Sequence, residues 1–230
     1  HQTKTRLLAL EHTQNGEVCP YDTLVETVGE ARKLGLATHL DGARIWNACV
    51  AESREASEFA SIFDTVSVCL SKGLGAPVGS VLCGSAEHIE RARHFRKLLG
   101  GGWRQAGVLA AAGLHALEHH RGSLANDHEN AQLLASGLEE LGFSVQKPET
   151  NMVWCSPPSS LQHPDAFGRM ATALRAEGFL IGGNYGGPHA RNPAAEKAKS
   201  MRFVTHLQTP AHACKGLLAA AGRFTRALPR

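Results

Sequence analysis

The chain has 230 residues, 43% of them hydrophobic and 20% charged, with a formal charge of +3. That composition suits one large globular domain or two smaller ones with a real core. The small charge argues against a nucleic-acid or membrane-surface partner, and no apolar run approaches the ~20 residues of a membrane span.

In chain order, residues 5–12 (TRLLALEH) read as a short buried strand. Beyond Pro20, Asp22 is placed to cap a helix carrying Leu24, Val28 and Ala31 at helical spacing, with Gly35 as its stop. Strands follow at 36–41, 64–70 and 78–83, the last two separated by a small-residue loop containing Lys72. Ser85 caps a helix through Leu99, whose basic run at 90–97 reads as a solvated face. Three glycines at 100–102 break it, and 105–120 is strongly helical. Strands alternating with helices argue for an α/β unit with a mainly parallel sheet.

The second half has a different rhythm. A charged helix (124–141) precedes strands at FSVQ and NMVWC, a helix near 165–177, strands at FLIG and MRFVT, and a last helix over 210–227. Such an order suggests a compact α+β domain, with division into residues 1–122 and 123–230. The Gly/Pro/Lys-rich segment 183–200 reads as an exposed loop.

Six cysteines show no CxxC pair and no regular spacing, which points to a reducing compartment and a cytoplasmic chain. Cys69 and Cys83 fall in apolar runs, where a thiol acts as a small hydrophobe. No signal peptide opens the chain, which begins at His1 rather than Met; the native N-terminus and any targeting signal stay open. His115 and His119, four apart on a helix, lack an evident third metal ligand.

In open α/β sheets, ligands sit outside the carboxyl ends of the strands. Asp41 ends one strand and Lys72 follows another, so both can face one crevice. A lysine amine can bond an aldehyde cofactor, and an acid can keep a pyridine nitrogen protonated. By spacing alone, most such pairs are simply solvated.

Longer motifs narrow the choice. HLDGARIWNA, LSKGLGAPVGSVLCG, GGGWRQAGVLAAAG and MRFVTH occur in this order, with TNMVW at 150–154. Together they resemble the threonine aldolases of the β-eliminating lyase group, pyridoxal-phosphate enzymes of the aspartate-aminotransferase-like fold (fold type I). The resemblance implies cleavage of L-threonine or L-allo-threonine to glycine and acetaldehyde. Related alanine-forming or β-elimination reactions are alternatives within the class.

The resemblance also implies roles. Lys72 matches the lysine that bonds the cofactor aldehyde, and Asp41 the partner of the pyridine nitrogen. Arg44 and Arg202 match the arginines holding the substrate carboxylate. Arg104 matches an arginine reaching the cofactor phosphate of a neighbouring subunit, so a homo-oligomer (dimer or homotetramer) is expected. His1 aligns with a histidine near the substrate hydroxyl. Two departures stand out. The family's ENTHN reads EHTQN here (11–15), and the family's phosphate-cradling Ser/Gly/Thr loop and ring-stacking histidine fall before residue 1. An inactive, N-terminally truncated relative is therefore the alternative expectation.

Overall fold

The computed structural model describes residues 3–158, 166–181 and 201–227. The chain divides into two compact units, His1–Leu124 and Ala125–Arg230.

Unit 1 is built on a four-stranded sheet of order β1-β2-β3-β4. Strands β1 (Leu7–Glu11), β2 (Ala37–Gly42) and β3 (Thr65–Cys69) are parallel, and β4 (Ser80–Gly84) runs antiparallel to β3. Helix α1 (Tyr21–Lys33) buries Leu24, Val28 and Ala31, the predicted face. Pro20 rather than Asp22 stands at its N-cap, and Asp22 lies inside the first turn, where its charge still meets the positive helix end. Gly35, at φ +71°, ends the helix as expected, with Leu36 N–H donating back to the Ala31 carbonyl at 3.0 Å.

Two short helices were not foreseen: α2 (Ile45–Glu52) and α3 (Ala56–Ser61). Helix α3 opens on a capping box, with Glu58 and Glu55 each accepting from the other's backbone N–H. Leu40, Val66, Leu24, Val28, Ile45 and Phe59 form the main core of this unit, all under 3% exposed. A second cluster joins Leu74, Ala76, Ala116 and Leu124.

Helix α4 (Ala86–Leu98) starts where expected, with Ser85 Oγ accepting from His88 N–H at 3.3 Å. It has no buried residue, and every residue of β4 is exposed. Cys83 is therefore not the buried small hydrophobe its sequence setting suggested. After Gly100 (φ +89°), the chain reaches α5 (Gly107–His119) and a 3-10 turn over Arg121–Ser123.

Unit 2 takes most of α6 (Leu124–Glu140), followed by β5 (Ser144–Gln146), β6 (Met152–Ser156), α7 (Ala166–Ala176), β7 (Met201–Val204) and α8 (Ala211–Arg226). Its antiparallel sheet has the order β5-β6-β7. Helices α6, α7 and α8 and the sheet bury Leu138, Val153, Met170, Leu174 and Ala221, each at most 1% exposed. Residues 179–181, expected to begin a strand at FLIG, form none; they follow a turn at Gly178 (φ +88°). The expected loop 183–200 lies outside the described residues.

Candidate active site at the strand ends of unit 1

Asp41 is the fifth residue of β2, in register with Glu11 of β1 and Ser67 of β3. Its carbonyl accepts from His12 N–H at 2.9 Å, and its Oδ1 accepts from Ala43 N–H at 3.0 Å. That second bond turns the chain from strand to helix, as short acids do. Gly42 is required in the turn: a Cβ there would lie 3.0 Å from the Ser67 carbonyl oxygen and 3.3 Å from Ile45 Cβ. Arg44 follows as the N-cap residue of α2, half-buried, its carbonyl accepting from Asn47 and Ala48 N–H. The motif DGAR thus sets an exposed carboxylate and a guanidinium at one strand end.

Lys72 lies three residues past β3, on the same end of the sheet as Asp41. Its side chain is exposed, but the loop around it is firmly built. Gly75 N–H donates to the Lys72 carbonyl (2.8 Å), Ala76 N–H to Leu70 (3.0 Å), and Leu70 N–H to Gly79 (2.9 Å). Trp46 Nε1 of α2 donates to the Cys69 carbonyl at 3.3 Å. Gly75 and Gly79 take φ +70° and +121°, left-handed conformations that favour glycine. At Gly73 a Cβ would meet Leu124 Cδ2 at 2.7 Å, so the backbone passes close to a buried side chain. Leu74 and Ala76 are buried on either side of Gly75. The small residues that the sequence marked beside Lys72 thus serve close packing and turning as well as access.

The other expected residues belong to other elements or fall outside the described residues. Arg104 is exposed, in the segment between α4 and α5 beside Trp103, itself 66% exposed. Arg202 sits in β7 of unit 2, paired with Trp154 of β6, its guanidinium carbon 5.6 Å from the Trp154 ring centre. His1 lies outside the described residues. The structure therefore gathers Asp41, Arg44 and Lys72 at one sheet end, all supplied by unit 1.

His12, which sequence reading passed over, is fully buried, its ring 5.1 Å from that of Phe59. Neither ring nitrogen has a hydrogen-bond partner among the described residues. Burial lowers its pKa to about 4, so it stays neutral behind the β2 strand end. His120 was also missed: its Nδ1 lies 2.7 Å from the Leu74 carbonyl in the Lys72 loop. A histidine 46 residues away carries no local signal. The His115 and His119 rings lie 4.5 Å apart, centre to centre, tilted by 51°, and among the described residues no three metal-ligating groups converge.

A separate cleft of about 470 Å³ is lined by Trp46, Cys49, Arg54, Glu55 and Arg121, among others. Its cations are already matched, Arg121 to Glu55 at 3.0 Å and Arg54 to Glu58 at 2.8 Å. Burial pushes the Cys49 thiol up to about 11, away from thiolate chemistry.

Similarity to known proteins identifies the family of the chain. The family described as beta-eliminating lyase matches residues 1–156. The low specificity L-threonine aldolase of Escherichia coli K12 is 47% identical over 207 residues, which cover 90% of this chain and 56% of that protein. The low specificity L-threonine aldolase of Saccharomyces cerevisiae is 37% identical over 185 residues, covering 80% and 47%. The chain thus spans about half the length of the curated relatives it matches. Among solved structures, a threonine aldolase of Leishmania major superposes with a TM-score of 0.72 at 18% identity, covering 96% of this chain and 61% of that one. Serine palmitoyltransferase from S. paucimobilis, in a structure with PLP, gives 0.70 at 19% identity over 97% of this chain and 56% of that one. The fold is the α/β type I fold of these enzymes, with a mainly parallel sheet followed by a small α+β unit. The chain belongs to the beta-eliminating lyase family.

Proposed function

We propose that this chain carries the lysine-bearing part of a pyridoxal-phosphate-dependent aldolase that cleaves L-threonine or L-allo-threonine to glycine and acetaldehyde. The observation that carries the reading is the joint placement of Asp41 and Lys72 at adjacent parallel strand ends, in a chain 47% identical to a low specificity L-threonine aldolase. The residues present fit the cofactor chemically: an amine for its aldehyde, a carboxylate for its ring nitrogen, and a loop of small residues beside them. When bound, the cofactor supplies an electron-withdrawing ring that stabilises negative charge at the substrate Cα.

The chain's own residues would do the rest. Lys72 would bond the cofactor and Asp41 would hold a proton on its ring nitrogen. Arg44 and Arg202 would grip the substrate carboxylate, a task that suits the guanidinium fork. Arg104 would reach the cofactor phosphate in a neighbouring subunit. His1 would orient the β-hydroxyl, whose proton leaves as the Cα–Cβ bond breaks and Cα gains a proton. In this reading residues 1–122 form the cofactor-binding domain and 123–230 the small domain.

Two further proposals accompany it. The chain acts as a homo-oligomer; the fully exposed β4, the unburied α4, and exposed Leu98, Leu99 and Trp103 support this, since such patches mark association surfaces. It works in the cytoplasm, which agrees with six free cysteines. No described helix is long and apolar enough to cross a membrane.

The test supplies L-threonine, L-serine and L-cysteine separately to the purified, cofactor-loaded protein and identifies the products. Acetaldehyde and glycine in equal amounts from threonine are expected. Pyruvate from serine or cysteine, with threonine untouched, would replace the aldolase reading by β-elimination.

A further inference from the structure

Lys72 has an exposed side chain, so the position of its amine depends on how its loop is held. Most of the loop's hydrogen bonds are internal, between Leu70 and Gly79, and could travel with it if it swung as a body. Two come from outside: Trp46 Nε1 donates to the Cys69 carbonyl where the loop begins (3.3 Å), and, within the loop, His120 Nδ1 at the C-cap of α5 lies 2.7 Å from the carbonyl of Leu74, two residues beyond Lys72. A carbonyl only accepts, so Nδ1 carries the proton, which fixes the ring's tautomer.

His120 is itself anchored. Its N–H donates to Ala116 at 2.9 Å, and its carbonyl accepts from both the amide (3.1 Å) and the hydroxyl (2.7 Å) of Ser123. The His115 ring stands nearly perpendicular to its ring at 5.2 Å. The acceptor belongs to a fully buried residue, so removing the donor strands a buried carbonyl. We infer that His120 is a positioning residue for the Lys72 amine, clamping the loop to the end of α5. This rests on the proposed role of Lys72, since displacements near 1 Å cost roughly a hundredfold in rate.

Two readouts separate His120 from that reading. Amide hydrogen exchange at Gly75 and Ala76, measured without cofactor, judges the clamp alone. Labelling of Lys72 by pyridoxal phosphate and borohydride, rated against the distant Lys33 by peptide mapping, judges its consequence. His120→Phe, which keeps bulk without a donor, should speed exchange about tenfold and slow Lys72 labelling several-fold relative to Lys33. His120→Asn, whose amide can donate from the same position, should restore both. Wild-type values in His120→Phe, or equal impairment in His120→Asn, would overturn the inference. Nitrogen NMR of the wild type needs no variant: a proton on Nδ1 supports it and a bare Nδ1 overturns it. If wild-type Lys72 takes no more label than Lys33, the proposed function fails, while the exchange result still decides the clamp.

Discussion

The two units solve the packing problem differently. Unit 2 closes three helices over a short antiparallel sheet, and its core runs continuously through α6, α7, α8, β6 and β7. Unit 1 packs β1–β3 against α1–α3 with equal care, then leaves β4 and α4 with nothing buried at all. The unit with the incomplete surface is the one bearing Asp41 and Lys72. The difference is one of edges: unit 1 leaves one sheet edge and helix α4 without a buried residue, whereas one core unites the helices and sheet of unit 2.

The sharpest way to break this contrast is chemical. Lys72→Ala should lower threonine cleavage by roughly 10³-fold or more while leaving thermal unfolding unchanged. Full turnover in that variant would remove the assignment of chemistry to unit 1.

Truncation tests the packing contrast next. Met170→Ala, at a fully buried site in unit 2, should cost about 2–5 kcal/mol in denaturant unfolding. Leu98→Ala, at a site 69% exposed in α4, should change monomer stability by less than about 0.5 kcal/mol. Equal costs would mean that α4 is packed in solution.

The units should also respond oppositely to acid. Burial lowers the His12 pKa from 6.5 to about 4, so between those values the unfolded chain binds more protons than unit 1 does. Unit 1 therefore gains stability as pH rises through that window, by about 3 kcal/mol at most. In unit 2, burial raises the Asp127 pKa from 3.8 to about 6. There the folded state holds the extra proton, and stability falls over a similar window by a comparable amount. Trp46 and Trp154, one in each unit, give separate fluorescence probes once Trp103 is replaced. Parallel pH trends from both would contradict the contrast.

A smaller effect isolates the Asp127 contribution. Asp127 is 2% exposed, and its Oδ2 has no hydrogen-bond partner among the described residues. Asp127→Asn should raise stability at pH 7 by about 1–3 kcal/mol and flatten the acid dependence of unit 2.

Much of this was legible from pattern. Helical spacing found α1 and its buried face, and Ser85 and Gly35 marked helix ends because capping and left-handed turns demand particular residues. Asp41 near the end of one strand and Lys72 after another pointed to one end of the sheet, and both lie at or beyond the carboxyl ends of the adjacent parallel strands β2 and β3. Helices α2 and α3 escaped because they are short and apolar periodicity needs length; the Glu55–Glu58 capping box was the available signal for α3. The exposure of β4 was hidden because its apolar run looks like any buried strand. His12 and His120 were hidden for a deeper reason. Their significance lies in what the fold brings beside them, and no local pattern records a neighbour 46 residues away.

The reversal of direction at β4 has a bearing on how the chain tolerates change. A parallel strand after β3 would need a long crossover, whereas the antiparallel one returns directly, with Cys69 facing Ser80 across the ladder. Lys72 is therefore carried on a closed bight of chain, tied at both ends to the same ladder. Because β4 buries neither face, little besides that ladder fixes its register. Adding or removing one residue between Leu70 and Gly79 could then be absorbed by a slip of β4, at the cost of moving the amine. The strand would survive such an edit and the lysine's address would not.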